Sequence, residues 1–272
     1  EEQWEQIADS ISLAIRLAAH FGFDDKTLTS TNAIIPIAYF LKYHEISEDI
    51  LHSSTQETNR NEIKQWLIRA LLKRIFGGTP DNLYPVYRQI IKENDSIFPL
   101  PQLIERYSGS NKSLEFHSED IEALLRVSYG SSFAFMLLSL FYSLNHDYEF
   151  HQDHIHPKKH FTQRKLESLG IDSLEKREAF IERFNRLPNL QLLQATPNME
   201  KNSTMFDEWL SAANKDPIQL KQYKELHLIP LDQSLAFKDF IEFFDARENL
   251  IRTRLHHLLN VKQSTDKEDS IQ

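Results

Sequence analysis

Apolar residues recur every three to four positions through most of the chain, the spacing of one buried helical face. Trp4, Ile7, Ile11, Ile15 and Ala18 predict a first helix, with Gly22 as its stop. Ser30 or Thr31 is placed to cap a second helix through Tyr43, in which Pro36 is expected to introduce a kink. Asn61 to Phe76 is amphipathic and closes on Gly77-Gly78, a C-terminal stop. Asp81–Lys92, Ser118–Val127 and Phe133–Leu144 read as three more helices of ordinary length. No internal repeat or low-complexity tract interrupts this half.

The period changes at Tyr148. Tyr148-Glu149-Phe150-His151-Gln152-Asp153-His154-Ile155 alternates in steps of two, as a strand does, and Pro157 ends it. Two helices are expected next, Thr162–Leu169 and Ser173–Phe184, the second capped by Asp172 with Glu175 just after the Gly170 stop. Leu187-Pro188-Asn189 reads as a turn and Leu190–Gln194 as a short second strand. Thr196-Pro197 opens a helix with an N-cap followed by proline, and that helix carries Asn198, Lys201 and Asn202 before Met205, Phe206, Trp209 and Leu210. Pro217–Leu226 and Leu235–Leu259 are helical again, the latter with Phe237, Phe240, Phe244, Ile251 and Leu255 as its apolar stripe. The polar tail Gln263–Gln272 is expected to be flexible.

Composition narrows the fold class. Only six glycines in 272 residues, among many helix formers, favour a mainly α protein over a sandwich or barrel. With no cysteine, disulfides and cysteine-ligated zinc are excluded, and a reducing compartment such as a cytoplasm is compatible. The longest apolar run, Phe133–Leu144, is too short to span a bilayer, and no signal peptide is evident, so no membrane association is expected. The chain opens at Glu1 in the middle of an amphipathic pattern, as a fragment of a longer protein would. A formal charge of −9 argues against a surface that coats nucleic acid, but leaves room for local positive charge beside a metal ion.

The segments from Gln152 to Asn202 gather the groups that metal-dependent phosphodiester hydrolysis uses. His154 is suited to accept a proton near neutral pH. Asp153 offers a carboxylate oxygen and Asn198 an amide oxygen, hard donors for one divalent ion such as Mg²⁺ or Mn²⁺. Adjacent residues of a regular strand point to opposite faces, so Asp153 and His154 require a strand end or bulge near Ile155-His156-Pro157 to serve one centre. Lys201 and Asn202 follow Asn198 by three and four residues, on one helical face that could meet a phosphate. Lys158, Lys159, Arg164 and Lys165 form a small basic cluster nearby, with Lys158 and Lys159 as candidate phosphate contacts.

Asp153-His154-Ile155-His156-Pro157, Asn189-Leu190-Gln191-Leu192-Leu193 and Asn198-Met199-Glu200-Lys201-Asn202 together resemble the three parts of the HNH motif, the ββα-metal nuclease fold. The resemblance implies His154 as general base, Asp153 and Asn198 as ligands of one metal, and Asn189 as the residue bracing the loop between strands. The variant without zinc cysteines resembles the C-terminal nuclease region of GmrSD-type and SspE-type bacterial anti-phage restriction proteins. There a nucleotide-binding half precedes a helical stretch and the HNH core. Thr31 to Tyr39 resembles the start of that helical region, and Phe240-Ile241 to Ile251-Arg252 its closing helix. Pro188 stands where the family commonly has glycine, and no Gly-rich phosphate loop or Walker-type lysine is present.

The expected architecture is therefore a helical domain over 1–145, a ββα-metal core over 146–211, and C-terminal helices over 212–272 packing back on that core. The expected activity is nicking or cleavage of DNA in a bacterial cytoplasm, where two copies would be needed for a double-strand break. The rival is a non-catalytic helical interaction module carrying a relic motif, which the acidic charge favours. RNA as substrate is not separated from DNA by the residues themselves. His146, His151, His156 and His160 crowd the motif, but without the regular spacing on one helix that a zinc site uses; His151 and His156 are expected to line the cleft or face solvent.

Overall fold

Helical periodicity in the first part of the chain resolves into α1 (Glu2–His20), α2 (Ile34–Tyr43), α3 (Glu57–Leu72), α4 (Leu83–Glu93) and α5 (Leu100–Arg106). The computed structural model describes residues 2–78, 80–142 and 149–261. The α1 helix packs on α2 and buries Leu13, Ala14, Leu17 and Ala18. Its other apolar stripe is exposed, Trp4 at 72% and Ile15 at 52%. Pro36 lies in the first turn of α2, where its missing N–H is not needed, so the expected kink has no cause. Ser30 makes no side-chain cap bond, and a 3₁₀ turn over Thr31–Ala33 leads into α2 instead. The α3 helix starts earlier than its hydrophobic pattern suggests, and it stops earlier because Arg74 already takes a left-handed conformation (φ 50°). Trp66 of α3 is fully buried and donates its indole N–H to the Tyr87 hydroxyl at 3.3 Å.

The chain divides into two compact units, Glu1–Glu115 and Phe116–Gln272. The division falls before α6 (Ser118–Leu125) and α7 (Ser132–Ser139), so these helices belong to the second unit and not to an N-terminal domain ending at 145. The expected end of the α7 pattern at Leu144, together with His146, Tyr148 and the tail Gln263–Gln272, lies outside the described residues.

The second unit continues with β1 (Phe150–His154), α8 (Gln163–Ser168), α9 (Leu174–Arg183), β2 (Leu190–Gln194), α10 (Ala195–Lys201), α11 (Phe206–Ala213), α12 (Pro217–Leu226) and α13 (Phe240–Leu258). Thr162 and Ser173 cap α8 and α9 through their hydroxyls, so the cap of α9 falls one residue beyond the expected Asp172. Gly170, at φ +81°, turns the chain out of α8 as its sequence position suggested. The α10 helix begins at Ala195 without a side-chain cap, which puts Thr196 inside the helix and Pro197 in its first turn.

The fold is thus mainly helical, with one small two-stranded antiparallel sheet among the described residues. The strands pair in the register His154↔Leu190 through Phe150↔Gln194, and α10 packs against both. An aromatic core lies beside this sheet: Phe161, Phe180, Phe206, Phe237, Phe240 and Phe243 are buried together with Ile155 and Leu193. The α13 stripe read from the sequence supplies much of it, and α13 also packs on α6, α9 and the turn Leu187–Asn189. No described helix is long and apolar enough to cross a membrane.

Candidate functional site

Everything at the site hangs on the end of β1. The strand runs regularly to His154, after which the chain is fastened to the turn before β2. Ile155 N–H donates to the Asn189 carbonyl at 2.8 Å, and His156 N–H donates to Asn189 Oδ1 at 2.9 Å. The Asn189 amide Nδ2 donates in turn to the carbonyls of His156 (3.2 Å) and Phe184 (2.7 Å). Asn189 is fully buried, and its bonds to His156 satisfy backbone groups that water does not reach. The resemblance makes Asn189 a brace of the loop between the strands; its side chain bonds the backbone of His156, just after β1, and of Phe184, at the end of α9. Arg247 of α13, also buried, holds the same turn by donating to the carbonyls of Leu187 (3.3 Å) and Pro188 (2.7 Å) and to that of His227 (3.0 Å).

Asp153 and His154 leave the strand on opposite faces. On one face, Gln191 stands directly across from Asp153 and donates to its Oδ2 at 2.9 Å, while the Tyr223 hydroxyl donates to Gln191 Oε1 at 2.8 Å. The Lys201 ammonium reaches the same Oδ2 at 2.9 Å and the His154 carbonyl at 2.6 Å. Two donors share Oδ2, and Oδ1 receives no hydrogen bond among the described residues. Burial lowers the Lys201 pKa, and the neighbouring Asp153 charge opposes that shift. Lys201 was expected to meet phosphate. It is instead wholly buried and salt-bridged, so its charge is directed inward.

On the other face, the His154 ring lies against Tyr129, with centroids 4.4 Å apart, and near Phe184 at 6.0 Å. Its Nε2 is 3.0 Å from Asn185 Oδ1. Burial lowers the His154 pKa, while the Asn185 hydrogen bond and the Asp153 charge oppose the shift. A neutral imidazole is the form that can accept a proton.

Asn198 lies one turn before Lys201 on α10, partly exposed, and its side-chain amide takes no hydrogen bond among the described residues. Asn202, exposed, is the C-cap of α10 and adopts φ 43°. Lys158 and Lys159 are exposed just after Pro157, and Lys159 bonds the Ser203 hydroxyl. His151 is partly exposed and pairs with Glu149 at 3.8 Å. His156, expected in a cleft or at the surface, is fully buried among Phe206, Phe237, Phe240 and Phe243 because its backbone is drawn inward by Asn189.

The donors suited to a hard cation are Asp153 Oδ1 and the Asn198 amide oxygen, carried by elements that pack on each other. Among the described residues no group of three or more histidines, aspartates or glutamates could hold a metal ion. An ion held by one carboxylate and one amide keeps waters in its other positions, as Mg²⁺ commonly does. The Lys201 charge on Oδ2 opposes such an ion by Coulomb repulsion and lowers the affinity of the pair. Asn185, Gln191, Tyr223 and Arg247 were not singled out from the sequence. Arg247 alone had a usable signal there, as a charged residue on the apolar stripe between Phe244 and Ile251. No protein-family model matches the chain, and no curated protein matches it.

Proposed function

We propose that this protein is an HNH-type, metal-dependent endonuclease that nicks DNA, acting as the effector of a bacterial anti-phage system in the cytoplasm. The observation that carries the reading is the strand–strand–helix unit in which Asn189 locks the chain just after Asp153-His154 while α10, bearing Asn198, packs on both strands. In this reading the substrate phosphate sits at the end of β1, within reach of both of its faces. His154, neutral because it is buried, takes the proton from the attacking water. Asp153 and Asn198 would hold one Mg²⁺ or Mn²⁺, which would supply positive charge to the phosphate and the departing oxygen. Gln191 and Lys201 fix the Asp153 carboxylate through Oδ2, which leaves Oδ1 as the oxygen that would hold the ion. Lys158 and Lys159 contact the backbone of the nucleic acid.

The rival reading, a non-catalytic interaction module, is favoured by the exposed stripe Trp4, Ile7, Ile11 and Ile15 on α1. Plasmid nicking separates the two. Supercoiled DNA with Mg²⁺ or Mn²⁺ is expected to yield open circles with the parent chain, and none with His154→Ala, Asn198→Ala or EDTA. Nicking that survives in both variants would place the activity elsewhere, and an inert parent chain favours the interaction module.

A further inference from the structure

We infer that Asn185 is a positioning residue for His154, holding the imidazole with its proton on Nε2 and its lone pair on Nδ1. The cleavage role of this arrangement rests on the nuclease proposal; the tautomer does not. An amide oxygen can only accept, so the ring nitrogen 3.0 Å from Asn185 Oδ1 is the one that carries hydrogen. The remaining nitrogen, Nδ1, is then the site left to accept a proton from water.

The surroundings hold both partners still. Tyr129 covers one side of the imidazole at 4.4 Å, and its backbone N–H donates to the Asn185 carbonyl at 3.0 Å. The residues on either side are joined as well: Leu187 N–H donates to the Val127 carbonyl at 2.8 Å, and Ser128 bridges to Arg186. The loop that carries Tyr129 is fastened to β1 itself, with Gly130 N–H donating to Gln152 Oε1 (2.9 Å) and Gln152 Nε2 donating to the Ser131 carbonyl (2.7 Å). Gly130 makes this possible at φ +96°, a conformation that other residues rarely adopt. Asn185 and Asn189, four residues apart, therefore secure the end of β1 at two points. One fixes the His154 side chain and the other the His156 backbone.

The test is imidazole nitrogen NMR of the metal-free full chain, with Asn185→Leu, which removes the acceptor, and Asn185→Asp, which keeps one. His154 of the parent is expected to show the Nε2–H pattern, Asn185→Asp to retain it, and Asn185→Leu to shift toward a mixture of tautomers. In nicking assays Asn185→Leu is expected to lower kcat by about 10- to 100-fold, as loss of an orienting partner does, with KM for plasmid unchanged and Asn185→Asp largely restoring the rate. An Nδ1–H pattern in the parent would mean that Asn185 presents its Nδ2, and it overturns the inference whether or not either variant folds. An unchanged tautomer in Asn185→Leu overturns it equally. A parent chain that fails to nick while its tautomer still depends on Asn185 removes the nuclease reading and leaves the positioning role standing.

Discussion

The ammonium of Lys201 and the carboxylate of Asp153 meet at 2.9 Å inside the second unit, with Lys201 wholly buried and the Asp153 side chain 11% exposed. A lysine this deep would leave water at great cost without its partner, and Asp153 is the acid beside it. Breaking such a pair by removing one member is therefore worse than replacing both. Lys201→Met and Asp153→Asn are each expected to destabilise the protein by about 3–5 kcal/mol, and the double variant by less than either alone. Urea unfolding of the four proteins gives the coupling directly. Simple addition of the two single effects would show that the pair is not the stabilising unit.

Asn189 is expected to be structural before it is anything else. Its amide satisfies the N–H and carbonyl of His156, both buried, and the partly buried carbonyl of Phe184. Asn189→Ala leaves these groups unpaired and is expected to cost about 3 kcal/mol or more. Asn189→Asp, which can still accept from His156 N–H but loses both donor bonds, is expected to fall between alanine and the parent in urea unfolding. Equal stability of all three would show that the loop is held by other means.

The two strands, α12 and the aromatic stripe of α13 were legible because period and turn signals are local properties. The register Asp153↔Gln191 was half legible: the strands were found, but not that Gln191 would bond Asp153 from the facing strand. Helical spacing puts Lys201 on a face with Asn198 and suggests a phosphate for its charge, whereas the fold buries it against Asp153. Helical spacing gives direction around an axis and says nothing of what covers that direction. The same gap explains α1, where two apolar stripes are available and the one read from spacing is exposed at Trp4, Ile7, Ile11 and Ile15, with only Ala18 of that set buried. Asn185 had no local signal, since its partner lies 31 residues earlier and only the folded turn brings them together. Pro36 and Thr196 misled for a smaller reason, a helix start displaced by a few residues, which turns an expected break or cap into an ordinary first-turn position.

Lys158 and Lys159 are exposed and differ in this from Lys201, which gives the nucleic-acid proposal a test by salt dependence. Each lysine that neutralises a phosphate adds a counterion-release term to binding. Lys158→Ala and Lys159→Ala are each expected to reduce the slope of log affinity against log salt by about 1, with little change in stability. Fluorescence anisotropy with a short duplex over a range of salt measures this, with Lys165→Ala as a further exposed position in the same cluster. An unchanged slope in all three variants would remove this cluster from the binding surface.

His156 makes acid stability the last measurable consequence. Its ring packs edge-on against Phe243 at 4.8 Å and Phe240 at 5.5 Å, and neither ring nitrogen has a hydrogen-bond partner among the described residues. Burial, helped by the Lys201 and His160 charges, pushes its pKa down to about 3 from an ordinary value of 6.5. Between these two values the unfolded chain binds a proton that the folded chain refuses. Stability is therefore complete above pH 6.5 and falls as the pH drops, by up to about 1.4 kcal/mol per unit. At pH 5 this one residue accounts for about 2 kcal/mol by the same linkage. His227, held down to about 3 in the same way, adds a parallel loss that is common to the parent and to any His156 variant. His156→Leu keeps the apolar surroundings and removes the titration. Between pH 7.5 and pH 5 its urea stability is expected to fall by about 2 kcal/mol less than that of the parent. Any packing change from leucine is present at both values of pH and cancels in that difference. Identical acid losses in the two proteins would mean that His156 takes up its proton inside the fold, and that the aromatic cage opens to admit it.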